Sequence, residues 1–442
     1  IEIEGLGRVP RAGAVVFVVN HPNGLVDPVF ILCHAPRKVS FLAKAPIFKM
    51  PVIGYLARAL EAIPVYRKQD EGSDPAQNRE TFTRSRDLLK QGGTIAICPE
   101  GVSHNDTKLR PLKSGAARIA LGVVGADPSI DLKIVPVGLY YTAKTMFRSS
   151  ALVHFGEPLR VEPAPLDENG EPPREAVGAL SARIAEALRD VTLNAEHDQS
   201  LAMIARAERI FSAAAEDSGA LSATTLAREL ELRQRFLEGY AFHFERQPAR
   251  LAAFDARLRR YEEELREAGI DEDDLSAPRA TPAQVARYVF ARVVPVLCLF
   301  PIAWAGLVVH FPAYHLTNYL STKLARENDD VVSTFKIIGA LLLFPLTWIV
   351  LVAAGWRLSG WPLGLAALGL APLSGFVAVR FFEKLDQYVG AARAILFFVT
   401  RRQFYKQLLV ERRRLREEIV ALGEEAALAE EAQATAGAGV VA

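Results

Sequence analysis

This 442-residue chain lacks several of the sequence patterns that usually indicate a function. Its three cysteines, Cys33, Cys98 and Cys298, are far apart and form neither a metal-binding nor a disulfide spacing, which fits a reducing compartment. Net charge is almost absent: 52 Lys and Arg against 51 Asp and Glu leave +1, so no nucleic-acid partner is expected. No ligand cluster suggests a metal, and no Gly-x-Ser-x-Gly elbow suggests a serine hydrolase.

Hydrophobic residues are abundant and unevenly placed. They make up 50% of the chain, the mean hydropathy is +0.13, and the excess lies mostly between Tyr288 and Val379. Residues 1–160 instead alternate short apolar runs with amphipathic stretches such as Asn78–Lys90, the rhythm of an α/β domain. Its predicted strands cover residues 14–19, 39–43, 62–66, 94–98, 133–139 and 151–155.

The rest of the chain divides by composition. Residues 161–174 are rich in proline and acidic residues and are typical of a linker, and residues 175–285 have a helical period. Residues 286–380 form a membrane region, since the runs 337–356 and 358–379 each reach the roughly 20 residues that a spanning helix needs. The final region, residues 381–442, predicts a basic helical tail with a disordered end.

The orientation of the membrane region follows from charge. Seven basic residues between Arg401 and Arg416 favour a cytoplasmic tail, and a cytoplasmic N-terminal domain then requires an even number of crossings. We therefore expect 337–356 and 358–379 to cross the bilayer. The shorter, proline-interrupted stretch 293–309 is left as interfacial, re-entrant or spanning.

Candidate catalytic residues follow the first long apolar run, in the segment Asn20–Pro28. His21 can accept a proton from an alcohol near neutral pH, and Asp27 can orient the imidazole and stabilise its protonated form. A structural role is equally open at this point. Asp27 followed by Pro28 suits the start of a helix, and His21 can simply end a strand.

Three further blocks follow in order, and together the four resemble the phospholipid/glycerol acyltransferase (PlsC-like) family. That family carries a His-Asp block, a block ending in arginine, a Phe-Pro-Glu-Gly block and a Val-Pro-Val block. The matching segments here are His21–Asp27, Ala62–Arg67, Ile97–Ser103 and Val135–Leu139, and Pro111–Gly115 matches a Pro-x-Lys-x-Gly extension of the third block.

The chain departs from the family pattern at two places. Five residues instead of four separate His21 from Asp27, a spacing that resembles the fungal glycerol-3-phosphate/dihydroxyacetone-phosphate acyltransferases. This gap predicts a longer turn that still brings the carboxylate to the imidazole. The third block reads Glu100-Gly-Val-Ser103 where the family has Glu-Gly-Thr-Arg, and Lys108, Arg110 and Lys113 are the candidates to compensate for the missing arginine.

The resemblance implies a fold and a set of site residues. The fold is an α/β acyltransferase domain with a mixed sheet flanked by helices, followed by a helical region and C-terminal membrane helices. His21 and Asp27 are the implied catalytic pair; no role is assigned to His104, which is displaced from the motif. The implied substrate-binding residues are Arg67, Glu100, Gly101, Lys113 and Lys44.

The resemblance also implies a reaction. A fatty acyl group would pass from a thioester, acyl-CoA or acyl carrier protein, to a hydroxyl of glycerol-3-phosphate or a lysophospholipid such as lysophosphatidate. No cofactor beyond that co-substrate is expected, and the protein should be integral to a phospholipid membrane with its catalytic domain facing the cytoplasm. The alternative is a weakly active or inactive lipid-binding scaffold that keeps the fold. Turnover of an acyl thioester distinguishes the acyltransferase from the scaffold.

Overall fold

The computed structural model describes residues 1–24, 26–67, 77–104, 106, 108–142, 149–195, 198–217, 225–270, 272, 275, 282–325 and 329–438. The chain divides into two compact units. The N-terminal unit comprises residues 1–196, 225–230 and 328–334, and the helical unit comprises residues 197–224, 231–327 and 335–442.

The N-terminal unit is built on a mixed sheet. Among the described residues its strands are β1 (Glu2–Glu4), β2 (Val15–Val19), β3 (Ser40–Lys44), β4 (Ile63–Val65), β5 (Thr94–Ile97), β6 (Lys133–Tyr141), β7 (Ala151–Phe155) and β8 (Leu159–Arg160). Their order is β1-β7-β6-β2-β5-β3-β4, with β8 also pairing β6. Pairs run parallel from β6 through β2, β5 and β3 to β4, whereas β7 and β8 are antiparallel to β6.

Helices cover both faces of this sheet. They are α1 (Val26–His34), α2 (Pro51–Ala59), α3 (Asn78–Lys90), α4 (Gly115–Ala126) and α5 (Arg174–Asp190). The central strand β2 has the sequence VVFVV and is buried on both faces, as expected for a parallel strand under two helical layers. Val16 and Val18 pack in one core with α4 and α5, while Val15 and Phe17 pack in the other with Ile31 of α1.

The sequence-based fold class is confirmed: a mixed sheet flanked by helices precedes a helical region and apolar C-terminal helices. All six predicted strands and the helix over residues 78–90 are present. One boundary differs, since α5, expected in the helical region after residue 174, buries Leu180, Ile184 and Leu188 against the sheet. Its apolar side chains recur every three to four residues and complete the layer beside α4.

The helical unit contains most residues of the remaining long helices. These helices are α6 (Asp198–Asp217), α7 (Leu226–Arg246), α8 (Pro248–Ala268), α9 (Pro282–Ala325), α10 (Asp329–Ser359), α11 (Trp361–Thr400) and α12 (Arg402–Ala438). The first residues of α7 and α10 belong to the N-terminal unit. Among the described residues, three segments are long and apolar enough to cross a bilayer: Cys298–Leu324 of α9, Val332–Ser359 of α10 and Trp361–Leu385 of α11. Helices α10 and α11 are separated by Gly360, whose φ is +79°.

The basic tail contains helix α12, which packs into a core. Leu408, Leu415 and Ile419 are buried with Leu258 of α8 and Met203 of α6. These residues of α12 recur at helical spacing and form an apolar stripe between its charged faces. The disordered end was expected beyond about residue 430; α12 extends to Ala438, and residues 439–442 lie outside the described residues.

Candidate active site

The predicted site residues converge at one edge of the sheet. Strands β6, β2, β5, β3 and β4 are parallel, so their carboxyl ends all meet at that edge. His21 follows β2, Glu100 follows β5, Lys44 ends β3 and Arg67 lies two residues beyond β4. The topology therefore gathers residues that are far apart in sequence, as the order of the four blocks led us to expect.

The predicted turn brings His21 and Asp27 together. His21 Nδ1 lies 2.9 Å from Asp27 Oδ2, and the same oxygen accepts a 2.7 Å hydrogen bond from the backbone N–H of Asn23. Asp27 lies in the first turn of α1 and is only 1% exposed, whereas the His21 side chain is 20% exposed. Since a carboxylate accepts hydrogen bonds, this contact places the hydrogen of a neutral His21 on Nδ1 and leaves Nε2 as its basic nitrogen.

A residue that the sequence did not indicate completes this pair. The hydroxyl of Tyr141, at the end of β6, donates a 2.5 Å hydrogen bond to Asp27 Oδ1. Its ring stacks on Phe30 of α1, with centroids 5.9 Å apart. Burial and the negative Asp27 carboxylate raise the pKa of the Tyr141 phenol above its usual range, so the phenol remains a donor. Asp27 thus receives three hydrogen bonds, from His21, Asn23 and Tyr141.

Asn20 fixes the backbone from which His21 projects. Its side-chain Oδ1 accepts from the N–H of Leu139 at 2.7 Å, and its Nδ2 donates to the carbonyl of Leu139 at 3.1 Å. This double hydrogen bond extends the pairing of β2 with β6 by one residue. It holds the carboxyl ends of the two strands that carry His21 and Tyr141 in a fixed register.

Glu100 organises the neighbouring loop. Its carboxylate is 3% exposed and accepts hydrogen bonds from the backbone N–H groups of His21, at 3.3 Å, and Arg110, at 2.9 Å. It also pairs closely with His104 Nε2, and the N–H of His104 donates to the carbonyl of His21 at 3.2 Å. No role was expected for His104 because it is displaced from the motif, and its contact with Glu100 depends on the conformation of this loop.

Two cationic side chains, those of Arg67 and Lys113, lie against Gly101. Arg67 Nη1 donates to the Gly101 carbonyl at 2.8 Å, and the Lys113 side chain lies across the other side of this residue. A Cβ on Gly101 would fall 2.4 Å from Lys113 Nζ, and the φ of +75° already disfavours any other residue. Of the three cations expected to replace the missing arginine, Lys113 is therefore the one that the structure places beside Gly101.

The other two expected cations are placed differently. Arg110 is engaged by Asp106, with Nε 2.6 Å from Oδ2, and Lys108 is exposed. Lys44 is also exposed, at the end of β3 where a short 3₁₀ helix begins. The structure thus brings Lys44 to the correct edge of the sheet and gives it access to solvent.

Cys98 is the nearest thiol to the pair. Burial and the negative charges of Asp27 and Glu100 raise the pKa of the Cys98 thiol above its usual range. It therefore stays protonated at neutral pH and is a poor nucleophile. The arrangement suits proton transfer by His21 to or from a bound hydroxyl, with no covalent intermediate on the protein.

Comparison with known proteins gives two family matches. Residues 1–140 match the acyltransferase family model, and residues 217–427 match the glycerol-3-phosphate acyltransferase 2 C-terminal domain. The first match contains the whole sheet edge up to Tyr140, and the second contains the apolar helices.

Individual relatives agree with these matches. Glycerol-3-phosphate O-acyltransferase 1 of Saccharomyces cerevisiae is 26% identical over 81% of this chain, and glycerol-3-phosphate O-acyltransferase 2 of the same yeast is 29% identical over 63%. The chain spans 60% and 38% of the lengths of these two relatives. A chloroplastic 1-acyl-sn-glycerol-3-phosphate acyltransferase of Brassica napus is 30% identical over 33% of this chain and 38% of its own length. The crystal structure of the Thermotoga maritima LPA acyltransferase PlsC covers 43% of this chain and 70% of its own, with 19% identity and a TM-score of 0.31, too low to support an argument.

Proposed function

Because the chain joins an acyltransferase domain of the PlsC-like family to a glycerol-3-phosphate acyltransferase 2 C-terminal domain, we propose that it is a membrane-bound glycerolipid O-acyltransferase. It moves a fatty acyl group from a thioester to a hydroxyl of a glycerol phosphate. The observation that carries this function is the His21–Asp27 pair at the end of β2. The buried Asp27 carboxylate holds Nδ1 of His21, and the His21 side chain is partly exposed.

The mechanism is direct transfer. His21 Nε2 removes the proton from the acceptor hydroxyl as its oxygen attacks the thioester carbonyl, and Asp27 stabilises the resulting imidazolium. The tetrahedral intermediate then collapses, the C–S bond breaks, and His21 returns the proton to the departing thiolate. Cys98 takes no part, because its protonated thiol cannot compete with the activated acceptor.

The acceptor phosphate is bound beside Gly101. Arg67 and Lys113 approach this residue from two sides, and both carry donors suited to phosphate oxygens. Glu100 shapes the same loop through its hydrogen bonds to His21 and Arg110. Lys113 therefore supplies the positive charge that the third block lacks at Ser103.

Glycerol-3-phosphate is the acceptor that we propose over lysophosphatidate. The relatives named for glycerol-3-phosphate acylation resemble 81% and 63% of this chain, whereas the Brassica napus relative named for the second acylation resembles 33%. The C-terminal match, residues 217–427, bears the name of the first group as well. The resemblance to the first group therefore extends beyond the catalytic domain.

The donor is an acyl thioester, and we favour acyl-CoA over acyl carrier protein. Lys44 is exposed at the same edge as His21 and is placed to meet the anionic part of this donor. The catalytic domain faces the cytoplasm, in keeping with the free cysteines Cys33 and Cys98. No other cofactor takes part in the proposed steps.

The proposal is tested with the purified full chain in lipid and one labelled acyl thioester at a time. Acyl-CoA and acyl carrier protein are each offered with glycerol-3-phosphate, dihydroxyacetone phosphate or lysophosphatidate, and products are identified by mass. We expect lysophosphatidate to form from glycerol-3-phosphate and acyl-CoA. Failure to turn over any thioester with any acceptor would instead favour the lipid-binding scaffold, which the intact His21–Asp27 geometry argues against.

A further inference from the structure

A second histidine–carboxylate pair lies beside the pair of His21 and Asp27. His104 Nε2 pairs closely with the Glu100 carboxylate, and only 8% of the His104 side chain is exposed. Its other ring nitrogen, Nδ1, accepts a 3.2 Å hydrogen bond from the backbone N–H of Asp106. Because a carboxylate accepts and a backbone N–H donates, a neutral His104 carries its hydrogen on Nε2 and accepts at Nδ1.

This hydrogen placement is the reverse of that in His21. In His21 the hydrogen lies on Nδ1, toward Asp27, and Nε2 is left as the basic nitrogen. In His104 both ring nitrogens are engaged by neighbours in its own loop. A general base needs a nitrogen that a substrate can reach, so His104 is not placed to be a second base.

His104 instead closes a ring of hydrogen bonds around the backbone of His21. The N–H of His21 donates to Glu100 Oε1 at 3.3 Å, and the carbonyl of His21 accepts from the N–H of His104 at 3.2 Å. The His104 side chain then returns to the other carboxylate oxygen of Glu100, Oε2. Both backbone polar groups of the proposed base are therefore held by Glu100 and His104.

The Glu100 carboxylate also holds the part of the loop that leads to Lys113. Its Oε2 accepts a 2.9 Å hydrogen bond from the N–H of Arg110. The N–H of Lys113 in turn donates to the carbonyl of Pro99 at 2.8 Å, and its side chain lies against Gly101, beside the proposed site of the acceptor phosphate. The orientation of Glu100 thus affects both the base and the lysine proposed to bind the acceptor.

A carboxylate as buried as Glu100 needs several donors to hold one orientation. It is 3% exposed, and His104 adds a side-chain donor to the two backbone N–H groups of His21 and Arg110. Burying a charge is costly unless hydrogen bonds or opposite charges compensate for the lost water. Loss of the His104 ring would remove one of these donors and leave Glu100 less firmly oriented toward His21.

We propose that His104 is a positioning residue that fixes Glu100 between His21 and the loop carrying Lys113, so that the base and the bound glycerol phosphate keep their mutual geometry. This inference rests on the proposed acyl transfer and deepens it. His104 directly follows Ser103, the position at which the family pattern has an arginine. The third block therefore contributes a residue that acts through Glu100 in addition to the cation beside Gly101.

Three substitutions of His104 separate the two contacts of its ring. His104→Ala removes both. In His104→Gln the amide nitrogen has about the reach of Nε2 and can donate to Glu100. In His104→Asn the amide oxygen has about the reach of Nδ1, so it can accept from Asp106 but leaves Glu100 without the side-chain donor. Each variant is assayed as the full chain in lipid, with glycerol-3-phosphate and acyl-CoA varied in turn.

We expect His104→Ala and His104→Asn to lower kcat/KM for glycerol-3-phosphate about 10- to 100-fold, as for a lost hydrogen bond to a charged group, with KM for acyl-CoA unchanged. His104→Gln should recover most of this loss. Recovery by asparagine but not by glutamine would assign the role to the contact with Asp106 and overturn the proposal. Equal losses in all three variants, or a wild-type rate in His104→Ala, would overturn it as well.

A second measurement needs no substrate turnover. In the full chain labelled with ¹⁵N-histidine, the ring-nitrogen signals of His21, assigned by their absence from His21→Ala, report its hydrogen bond to Asp27. We expect them to shift in His104→Ala and His104→Asn and to keep their wild-type positions in His104→Gln. Unchanged signals in His104→Ala would overturn the positioning role whether or not a thioester is turned over. Failure of this inference is thereby distinguished from failure of the proposed function, which the wild-type assay alone tests.

Discussion

Two histidine sites, one at the sheet edge and one among the apolar helices, use the same side chain in opposite ways. His21 gives Nδ1 to the Asp27 carboxylate, and within the described part of the chain its Nε2 has no hydrogen-bond partner. His310 pairs Nδ1 with the carbonyl of Gly306 at 2.8 Å, and its Nε2 accepts from Trp348 at 2.9 Å. Both nitrogens of His310 are thus occupied, as in a neutral imidazole with one donor and one acceptor.

The comparison shows what separates a reactive histidine from a structural one. A general base needs a nitrogen that a substrate can reach and a charge that stabilises the protonated ring. His21 has both, whereas His310 has neither, since its partners are a carbonyl and an indole. His310 instead joins α9 to α10, in a region where hydrogen bonds between helices contribute to stability.

The sharpest test of this contrast is His21→Ala. Because the proposed proton transfer passes through His21, we expect acyl transfer to fall by roughly 10²- to 10⁴-fold with little change in stability. His34→Ala is the matched control: His34 lies at the other end of α1, and its Nδ1 contacts the carbonyl of Phe30. Initial rates of labelled product formation decide the question, and an equal loss in both variants would remove His21 from the mechanism.

The next largest effect is expected for Tyr141→Phe, which deletes one of the three donors to Asp27 and keeps the ring that stacks on Phe30. A hydrogen bond to a charged group contributes about 1.5–3 kcal/mol, so we expect kcat to fall about 10- to 100-fold. KM should change little, because Tyr141 acts through Asp27 and positions His21.

A pH profile distinguishes this positioning role from a general loss of structure. Burial and Asp27 raise the pKa of Tyr141, so the phenol stays protonated and keeps donating at pH values up to and beyond its usual pKa of about 10. The ratio of wild-type to Tyr141→Phe rates should therefore remain constant from neutral pH to about pH 9.5. A ratio that approaches one well below that pH would contradict the role.

Sequence patterns predicted part of the candidate site at the sheet edge. The apolar runs and the four blocks predicted six strands, the α/β class and the residues His21, Asp27, Glu100 and Arg67, because each of these depends on local sequence. Tyr141 was missed since it lies two residues past the predicted end of β6, and its contact with Asp27 depends on the pairing of β6 with β2. His104 was passed over for the same reason, because its partner Glu100 is defined by the fold of the loop.

The helical unit was harder to predict for a physical reason. Apolar length alone identifies helices that a bilayer can accept, and three segments of the described residues satisfy that criterion. How these helices pack depends on long-range contacts, such as Gly306 against Ser374 and Arg250 against Glu425, which leave no signal in a single sequence. The packing of α12 against α8 likewise depends on contacts between residues far apart in sequence.

A smaller effect at the sheet edge is expected for Lys113→Ala. If Lys113 binds the acceptor phosphate across Gly101, its loss should raise KM for glycerol-3-phosphate about tenfold and leave KM for acyl-CoA unchanged. Lys108→Ala removes an exposed lysine of the same segment and should leave both constants near wild type. Steady-state kinetics with each substrate varied in turn separates the two, and a larger effect at Lys108 would move the phosphate site.

The smallest effect is expected at His310, because both of its ring nitrogens already have hydrogen-bond partners. Trp348→Phe removes the N–H that His310 accepts, and hydrogen bonds between membrane helices contribute about 0.6 kcal/mol on average. We expect the free energy of unfolding in detergent to fall by about that amount, with acyl-transfer rates unchanged. Trp356→Phe, at a 61% exposed position of the same helix, is the matched control and should leave stability unchanged. A loss of activity comparable to that of His21→Ala, at unchanged stability, would mean that His310 is not the structural counterpart of His21 but part of the same chemistry.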